Sequence, residues 1–322
     1  MKQSSWSKKP DSFAETVGLV ESYVRQEIIQ EVRNKQLYYH TLDHALAVKR
    51  RAKLIFRAIE PVLTLDRFIL KSNRLENLLD VCAIAHDMVQ EFVQEEAVDC
   101  PRKRIPGISE TATIDKLVEY IRQLNQELSR LNVDSSILFS DLDLAIIEDT
   151  ILATICDRDP QAGKSSYSFS AYSIYQPYLY SSVPKISLLG NIIALADLGT
   201  LAIDGIEPFV REGILVFLED NLDLKDLILN CNYPNSSVRA KVKLRLLNMS
   251  RFMVSLARER YARLEREIVD FPPPARQILR SQVFVHLNPQ TIAKIEAKIP
   301  TDDSTSQAEL IDFFCLSKNI KM

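Results

Sequence analysis

Apolar residues recur at three- and four-residue spacing along most of the chain, which is the pattern of amphipathic helices. The first such segment runs from residue 12 to about residue 32, and its apolar face consists of Phe13, Val17, Val20, Tyr23, Val24, Ile28 and Ile29. The same reading predicts helices over residues 42–59, 63–70, 76–88, 109–131, 141–155, 185–203, 208–222, 237–269, 275–285, 289–298 and 306–316. Strand-length alternating runs do not follow one another anywhere. The pattern therefore predicts an all-α fold.

Two of the predicted helices are apolar on most sides, which indicates that they lie in the core. The segment 76–88 ends with His86 and Asp87, and the segment 185–203 carries Asp197 among apolar neighbours in every helical direction. An ionised carboxylate buried without a partner costs several kcal/mol. Asp197 therefore needs an arginine, a helix terminus or a metal ion as compensation.

The composition limits the classes of function. With 322 residues, 46% apolar and 26% charged, the chain resembles an ordinary soluble globular protein of one or two domains. A net charge of −3 argues against a dedicated nucleic-acid binder, and no apolar run approaches the length of a membrane helix. The five cysteines form no CxxC pair, which favours a reducing, cytoplasmic location. Residues 1–11 are predicted to be a flexible leader that lacks the apolar segment of a signal peptide.

Histidine is rare in the chain, and its placement marks a candidate site. The chain has four histidines, and three of them, His40, His44 and His86, fall in two short segments. Imidazole is the commonest metal-ligating side chain and also suits proton transfer near neutral pH. A helix that begins after Thr41 places His44 in its first turn and His40 on the preceding link. His86 stands directly before Asp87, so an imidazole and a carboxylate adjoin there.

The chain resembles the HD superfamily of metal-dependent phosphohydrolases in its H…HD…D pattern, formed here by His44, His86, Asp87 and Asp197. The resemblance implies that these residues ligate a divalent ion inside an all-helical bundle. Residues 39–48, YHTLDHALAV, are similar to a segment of the members related to cyclic-nucleotide phosphodiesterases. By that similarity His40 is the proton donor to the leaving oxygen. The resemblance covers residues 12–205, which implies an HD-type metal-binding domain there and a C-terminal helical extension over residues 206–322.

The sequence departs from the fuller family pattern at three places. HDMVQ stands where many HD enzymes have HDxGK, Ser109-Glu110 stands where relatives often have His-Glu, and no histidine lies between His86 and His286. Binuclear members use additional histidines in that region, so we expect one tightly held divalent ion. Two imidazoles and two carboxylates suit Zn, Mn, Fe, Ni or Mg, with a first-row transition ion favoured over Mg.

Charged residues near this set supply further candidates. Glu110 and Glu95 are candidates to orient the attacking water, although surface glutamates are usually only solvated. Arg102 and Arg104, in the loop after the HD dipeptide, and Lys164, in the segment GKSS, are candidates to bind the substrate phosphate. Short charge runs are more often a solvated face, and GKSS lacks the strand and glycine spacing of a P-loop. A cluster of tyrosines offers either a stacking surface for a nucleobase or ordinary packing, and it consists of Tyr167, Tyr172, Tyr175, Tyr178 and Tyr180.

These features predict a metal-dependent phosphohydrolase that acts on a phosphomonoester or phosphodiester through metal-activated water, with a nucleotide as the favoured substrate. Two alternatives stay open. One is a catalytically degenerate HD protein that binds a nucleotide or a metal as a regulatory module. The other is a helical protein with a C-terminal interaction platform, in which the four residues need not converge. The predicted partner is a small phosphorylated substrate, without nucleic acid or membrane, and the oligomeric state stays open, with a homo-oligomer as one alternative.

Overall fold

A computed structural model describes residues 9–63, 72–93, 101–158, 173–181, 186–229 and 235–314. Outside these ranges lie most of the predicted leader, almost all of the predicted helix at 63–70, and the candidates Glu95, Lys164, Tyr167 and Tyr172. Within them, no helix combines the length and the apolar character that a membrane crossing requires.

The described part of the chain is almost entirely helical, as the sequence pattern predicts. Its α-helices are α1 Phe13–Lys35, α2 Leu42–Ile59, α3 Ser72–Ala85, α4 Ile108–Arg130, α5 Asp141–Leu152, α6 Leu188–Asp197, α7 Ile206–Asp220, α8 Leu222–Leu229, α9 Ser236–Glu267, α10 Pro273–Ile278, α11 Pro289–Lys298 and α12 Gln307–Phe313. Short 3₁₀ turns cover Glu60–Val62, Ser135–Ile137 and Pro177–Tyr180, and π-helical turns cover Thr200–Asp204 and Leu279–Val283. The two strands, β1 Asp157–Arg158 and β2 Ile174–Tyr175, pair antiparallel with Asp157 opposite Tyr175. The fold class is therefore all-α.

Helix α3 ends three residues before the predicted position, which places His86 and Asp87 in the turn that follows it. The Met88 N–H donates to the Ala85 carbonyl oxygen at 2.9 Å, which closes a turn instead of a further helical turn. His86 Nδ1 lies 2.9 Å from the Ala83 carbonyl oxygen, which a continuing helix would offer to the Asp87 N–H. Beyond this turn, side chains of other helices bind the next two backbone N–H groups. The Val89 N–H donates to Thr113 Oγ1 of α4 at 3.0 Å, and the Gln90 N–H donates to Glu31 Oε2 of α1 at 3.3 Å. Helix periodicity alone does not reveal such competing acceptors.

The predicted helix at 185–203 is divided into α6 and a π-helical turn. Helix α6 ends at Asp197, and the π-helical turn begins at Thr200. The division leaves Asp197 at the carboxyl end of α6, where its side chain is free to turn towards α2 and α3. The next helix, α7, begins after Gly205, whose φ of 90° is readily adopted only by glycine.

Helices α2, α3 and α6 form the centre of the bundle, and α1, α4 and α5 pack around them. Every residue of α6 from Leu189 to Asp197 is buried, as the apolar sequence of this segment predicts. The later helices form a second group, in which α9 packs against α7, α11 and α12. The buried Arg51 of α2 joins the groups, because its Nε donates to Asp204 at 2.7 Å and its Nη2 to Glu212 of α7 at 2.6 Å. The division into two domains near residue 205 stays a prediction.

Candidate metal centre

Three separate parts of the bundle bring four potential ligands to one point. His44 lies in the first turn of α2, His86 and Asp87 follow α3, and Asp197 ends α6. One ligand atom of each residue lies within 4.8 Å of those of the other three. His44, His86 and Asp197 are buried, and Asp87 is partly buried. The convergence predicted from the sequence is therefore present.

The carboxylate oxygens face the imidazole nitrogens at short range. From Asp87 Oδ2 the distance is 2.9 Å to His86 Nε2 and 3.3 Å to His44 Nε2. From Asp197 Oδ1 it is 3.5 Å to His86 Nε2 and 3.4 Å to His44 Nε2. These contacts are within ion-pair range, yet both Nε2 atoms are buried without a partner in hydrogen-bond geometry among the described residues. Buried nitrogen atoms without a hydrogen-bond partner indicate a site for a bound ion or ligand.

Neighbouring groups hold the outward-facing atoms of three ligands. Gln90 Nε2 donates to Asp87 Oδ1 at 3.1 Å, and Gln176 Nε2 donates to Asp197 Oδ2 at 3.2 Å. His86 Nδ1 lies 2.9 Å from the Ala83 carbonyl oxygen, which selects the tautomer with the proton on Nδ1. Such contacts orient metal ligands and fix which atom faces the ion. They leave Asp87 Oδ2, Asp197 Oδ1 and His86 Nε2 directed at the common centre.

The pKa values of the four residues follow from their mutual charges. Burial lowers the pKa of His44, but the carboxylates of Asp197 and Asp87 outweigh it and raise the pKa to about 9. Burial also lowers the pKa of His86, which Asp87 and Asp197 raise well above its usual value. Burial raises the pKa of both aspartates, yet the imidazoles lower that of Asp197 to about 2 and that of Asp87 well below its usual range. Without an ion, the cluster therefore holds protonated imidazoles beside ionised carboxylates.

The donor set fits one divalent metal ion. Bonds of about 2.0–2.2 Å place neighbouring donors about 3 Å apart and opposite donors about 4 Å apart. The four ligand atoms here fall within 4.8 Å of one another. Two imidazole nitrogens and two carboxylate oxygens suit several first-row ions as well as Mg²⁺. The arrangement admits an ion without fixing its identity.

His40 lies beside the cluster and pairs with a residue far along the chain. Its Nε2 is 3.8 Å from Asp87 Oδ2, while its Nδ1 makes a short contact with Glu219 Oε1 of α7. Glu219 is itself anchored, because its Oε2 accepts from the backbone N–H groups of Tyr38, Tyr39 and His40 at 2.8–3.0 Å. The buried carboxylate of Glu219 thus fixes the segment that carries His40, directly before α2, to helix α7.

Arg104 bonds to the same carboxylate of Glu219, and Arg102 bonds to the backbone nearby. Arg104 Nη2 donates to Glu219 Oε1 at 2.5 Å and to Asp220 Oδ1 at 2.9 Å. Arg102 Nη1 donates to the Lys35 carbonyl oxygen at 2.6 Å. Both arginines line a cavity that also contains His40, and protein acceptors bind Arg102 Nη1 and Arg104 Nη2, whereas Arg104 Nε is buried without a hydrogen-bond partner among the described residues. Substrate contact by Arg102 and Arg104 stays a prediction.

The cavity has a volume of about 630 Å³ and opens onto the metal centre. Asp87, Asp197 and His40 form one end of it. Glu110, in the first turn of α4, also lines the cavity, and burial raises its pKa, with further contributions from the charges of Asp87 and Asp197. Glu110 therefore lies in the same cavity as the cluster and close enough for the charges of Asp87 and Asp197 to affect its pKa.

Sequence reasoning missed the residues that support the cluster from a distance. Glu219, Gln90 and Gln176 carry no motif, and the residues they contact become neighbours only in the folded bundle. An early signal was available for Glu219, since it is a carboxylate within the largely apolar segment 208–222. The described tyrosines of the predicted cluster do not line the cavity, and Tyr180 instead donates to Glu267 at 2.7 Å.

Comparison of the chain with protein-family models, with curated proteins and with solved structures finds no match. The cluster of His44, His86, Asp87 and Asp197 within a helical fold is compatible with an HD-type site. The functional argument therefore depends on the geometry of the site.

Proposed function

We propose that this chain is a metal-dependent phosphohydrolase of the HD class, which hydrolyses a phosphomonoester or phosphodiester, with a nucleotide as the favoured substrate. One observation carries the proposal. Two buried imidazole nitrogens without hydrogen-bond partners among the described residues face two carboxylate oxygens, at the end of a cavity that also contains a separate histidine. A ligand set and a proton donor side by side are the minimum equipment for metal-assisted hydrolysis.

In this proposal His44, His86, Asp87 and Asp197 hold one divalent ion. The chemistry that a bound divalent ion supplies at such a site is water activation and charge neutralisation at the phosphoryl group. Gln90 and Gln176 keep the two carboxylates oriented towards it, since each donates to the oxygen that faces away. The site thereby binds the phosphate end of the substrate in a fixed place.

His40 is the proposed proton donor to the departing oxygen. Its Nδ1 is engaged by Glu219, which leaves Nε2 as the atom that faces the cavity end. As a general acid, His40 donates from Nε2 while its Nδ1 stays paired with the Glu219 carboxylate. Glu219 acts through His40 and is a positioning residue, in the way that a buried aspartate orients a catalytic histidine.

Glu110 is the proposed residue that orients the attacking water. Its pKa is raised, so it accepts a proton more readily than an exposed glutamate would. Its place in the cavity wall, within the field of Asp87 and Asp197, supports this role.

The test is hydrolysis by the purified protein of bis-p-nitrophenyl phosphate, p-nitrophenyl phosphate and a panel of nucleotides, with each candidate ion in turn. We expect turnover that His44→Ala and Asp197→Ala abolish. His286→Ala is the matched control, because His286 contacts the backbone near Gly205, outside the cluster. Absence of turnover on every substrate with every ion would contradict the proposal.

A second candidate function, binding without turnover, is favoured by one specific observation. Arg102 and Arg104, the cations expected to meet a phosphate, are bonded to Lys35, Glu219 and Asp220 instead. A regulatory module of this kind would bind a nucleotide with the same cavity and the same ion, yet show no hydrolysis. Equilibrium binding of nucleotides together with an absence of product would establish it.

A further inference from the structure

One face of α9 forms a wall of the same cavity. Its middle is apolar and consists of Met249, Phe252, Met253 and Leu256. Arg245 and Asn248 precede these residues in the cavity wall, and Arg260 follows them. The three- and four-residue spacing is that of a single helical stripe, which extends about 22 Å from residue 245 to residue 260 at 1.5 Å per residue. We call this set the α9 stripe.

Arg260 is the unusual member of the α9 stripe. It is only 3% exposed, and one guanidinium nitrogen, Nη1, pairs with Glu267. Its Nε is buried without a hydrogen-bond partner among the described residues. A buried guanidinium N–H without an acceptor is costly, and arginine offers only donors. The group is therefore built to meet an acceptor that enters the cavity.

Arg260 and the metal centre lie within electrostatic range of the same group. Burial raises the pKa of the Cys156 thiol, Asp197 and Glu110 raise it further, and Arg260 lowers it. Cys156 itself lines the cavity. A ligand whose phosphate meets the metal centre can therefore extend past Cys156 to Arg260 within one cavity.

Aromatic and thioether side chains line the same cavity as the metal centre and Arg260. Phe209 and Phe217 of α7 line the cavity together with Phe252 of α9. Methionine is unbranched and adapts its shape to a ligand, and it makes favourable contacts with aromatic rings. Gly213 of α7 leaves room for the Met253 side chain, since a Cβ at this position would lie 2.7 Å from Met253 Cε. The space suits a flat apolar group.

We propose that the α9 stripe selects the substrate: its apolar middle packs against the base of a purine nucleotide, and Arg260 donates to acceptors on the edge of that base. The inference rests on the proposed function, because the metal centre is taken to hold the phosphate. A guanine edge presents N7 and O6 as acceptors, whereas an adenine edge pairs the N7 acceptor with an amino donor. A donor-only side chain therefore favours guanine over adenine.

The experiment measures binding of GMP and AMP to the full-length protein by calorimetry, without reliance on turnover. We expect the wild type to bind GMP about tenfold more tightly than AMP, the size of effect that one charge-assisted hydrogen bond gives. Arg260→Gln replaces a donor-only group by an amide with a donor and an acceptor, which suits the adenine edge, and should abolish the preference. Arg263→Gln is the matched control, since Arg263 is also a buried arginine of α9 but does not line the cavity.

The outcomes separate this inference from the proposed function. Equal binding of GMP and AMP by the wild type, or a preference that survives Arg260→Gln, would overturn the inference even if phosphoesters are hydrolysed. Arg260-dependent GMP binding in a protein that hydrolyses nothing would support the inference and contradict the proposed activity. If Arg260→Gln does not fold, Gly213→Ala decides the matter, because its Cβ would clash with Met253 and displace that side chain of the α9 stripe. It should weaken both nucleotides about tenfold, and unchanged affinities would overturn the inference.

Discussion

Replacement of Glu219 by glutamine tests the link between α7 and the proposed proton donor. In the native protein Oε2 accepts three backbone N–H bonds, while Oε1 meets His40 Nδ1 and Arg104 Nη2. A glutamine that turns its oxygen towards the backbone must turn its NH₂ group towards two donors. The Nδ1 of His40 then faces an amide donor in place of a carboxylate oxygen, and Arg104 loses one of its two carboxylate partners.

The expected cost follows from these bonds. Three bonds to a charged acceptor become bonds to a neutral one, which halves the strength of each and removes about 1 kcal/mol per bond. The free energy of unfolding should therefore fall by about 3 kcal/mol, measured by urea denaturation at pH 7. The pKa of Glu219 lies below its usual value because, against burial, His40 and Arg104 stabilise the carboxylate. Its contribution is therefore present above a pH of about 4.3 and is lost on acidification below that.

The effect on activity should depend on the leaving group. Glu219→Gln removes the carboxylate that positions His40, so it should slow hydrolysis of nucleoside phosphates, whose alkoxide needs a proton, by about 100-fold. p-Nitrophenolate leaves without protonation, so the same variant should hydrolyse p-nitrophenyl esters nearly as fast as the wild type. Asp204→Asn, which weakens an arginine pair away from His40, is the control for stability alone. Equal losses on both substrate types would refute the proton-donor assignment.

Two further predictions concern the metal centre directly. Gln176→Leu removes the donor to Asp197 Oδ2 and should weaken metal binding about 10- to 100-fold, measured by competition with a chromophoric chelator. Unchanged affinity would show that Asp197 needs no such support. Metal affinity should also rise with pH, because the pKa of His44 is about 9 and the ligand must be neutral. Proton release on metal addition at pH 7, followed with an indicator dye, checks this, and binding without proton release would contradict it. By the same shift, the metal-free protein should lose stability as the pH rises from 6.5 towards 9.

Periodicity predicts the helices well where one face is clearly apolar. Helix α11 begins and ends at the predicted residues, and α2 also has its predicted bounds. The predicted end of α3 was wrong because the His86 side chain contacts the Ala83 carbonyl oxygen and the Met88 N–H closes a turn onto Ala85. Acceptors on α1 and α4, distant in sequence, then bind the N–H groups of Val89 and Gln90. Such competition depends on packing and leaves no local pattern.

The residues of the candidate site were predictable where their neighbours in the sequence made the residue type unusual. Asp197 in an apolar helix and three histidines in two short segments were visible, and the structure brings the cluster together. Glu219 had only the weak signal of a carboxylate in a largely apolar segment, and Arg260 had none, because charged residues on a long amphipathic helix usually face solvent. Both residues are buried because α7 and α9 pack against other helices, and the spacing of apolar residues in the sequence does not predict that packing.

The central claim is that His44, His86, Asp87 and Asp197 hold one divalent ion, and the metal content of the purified protein tests it most directly. Elemental analysis should find about one ion per chain in the wild type and none in Asp87→Ala, since loss of one of four ligands opens the site. Asp80→Ala is the matched control, because Asp80 lies on α3, the helix that Asp87 follows, and pairs with Lys49 and Lys53, away from the cluster. It should retain the ion. A wild type without bound metal, or an Asp87→Ala variant that keeps its ion, would contradict the account.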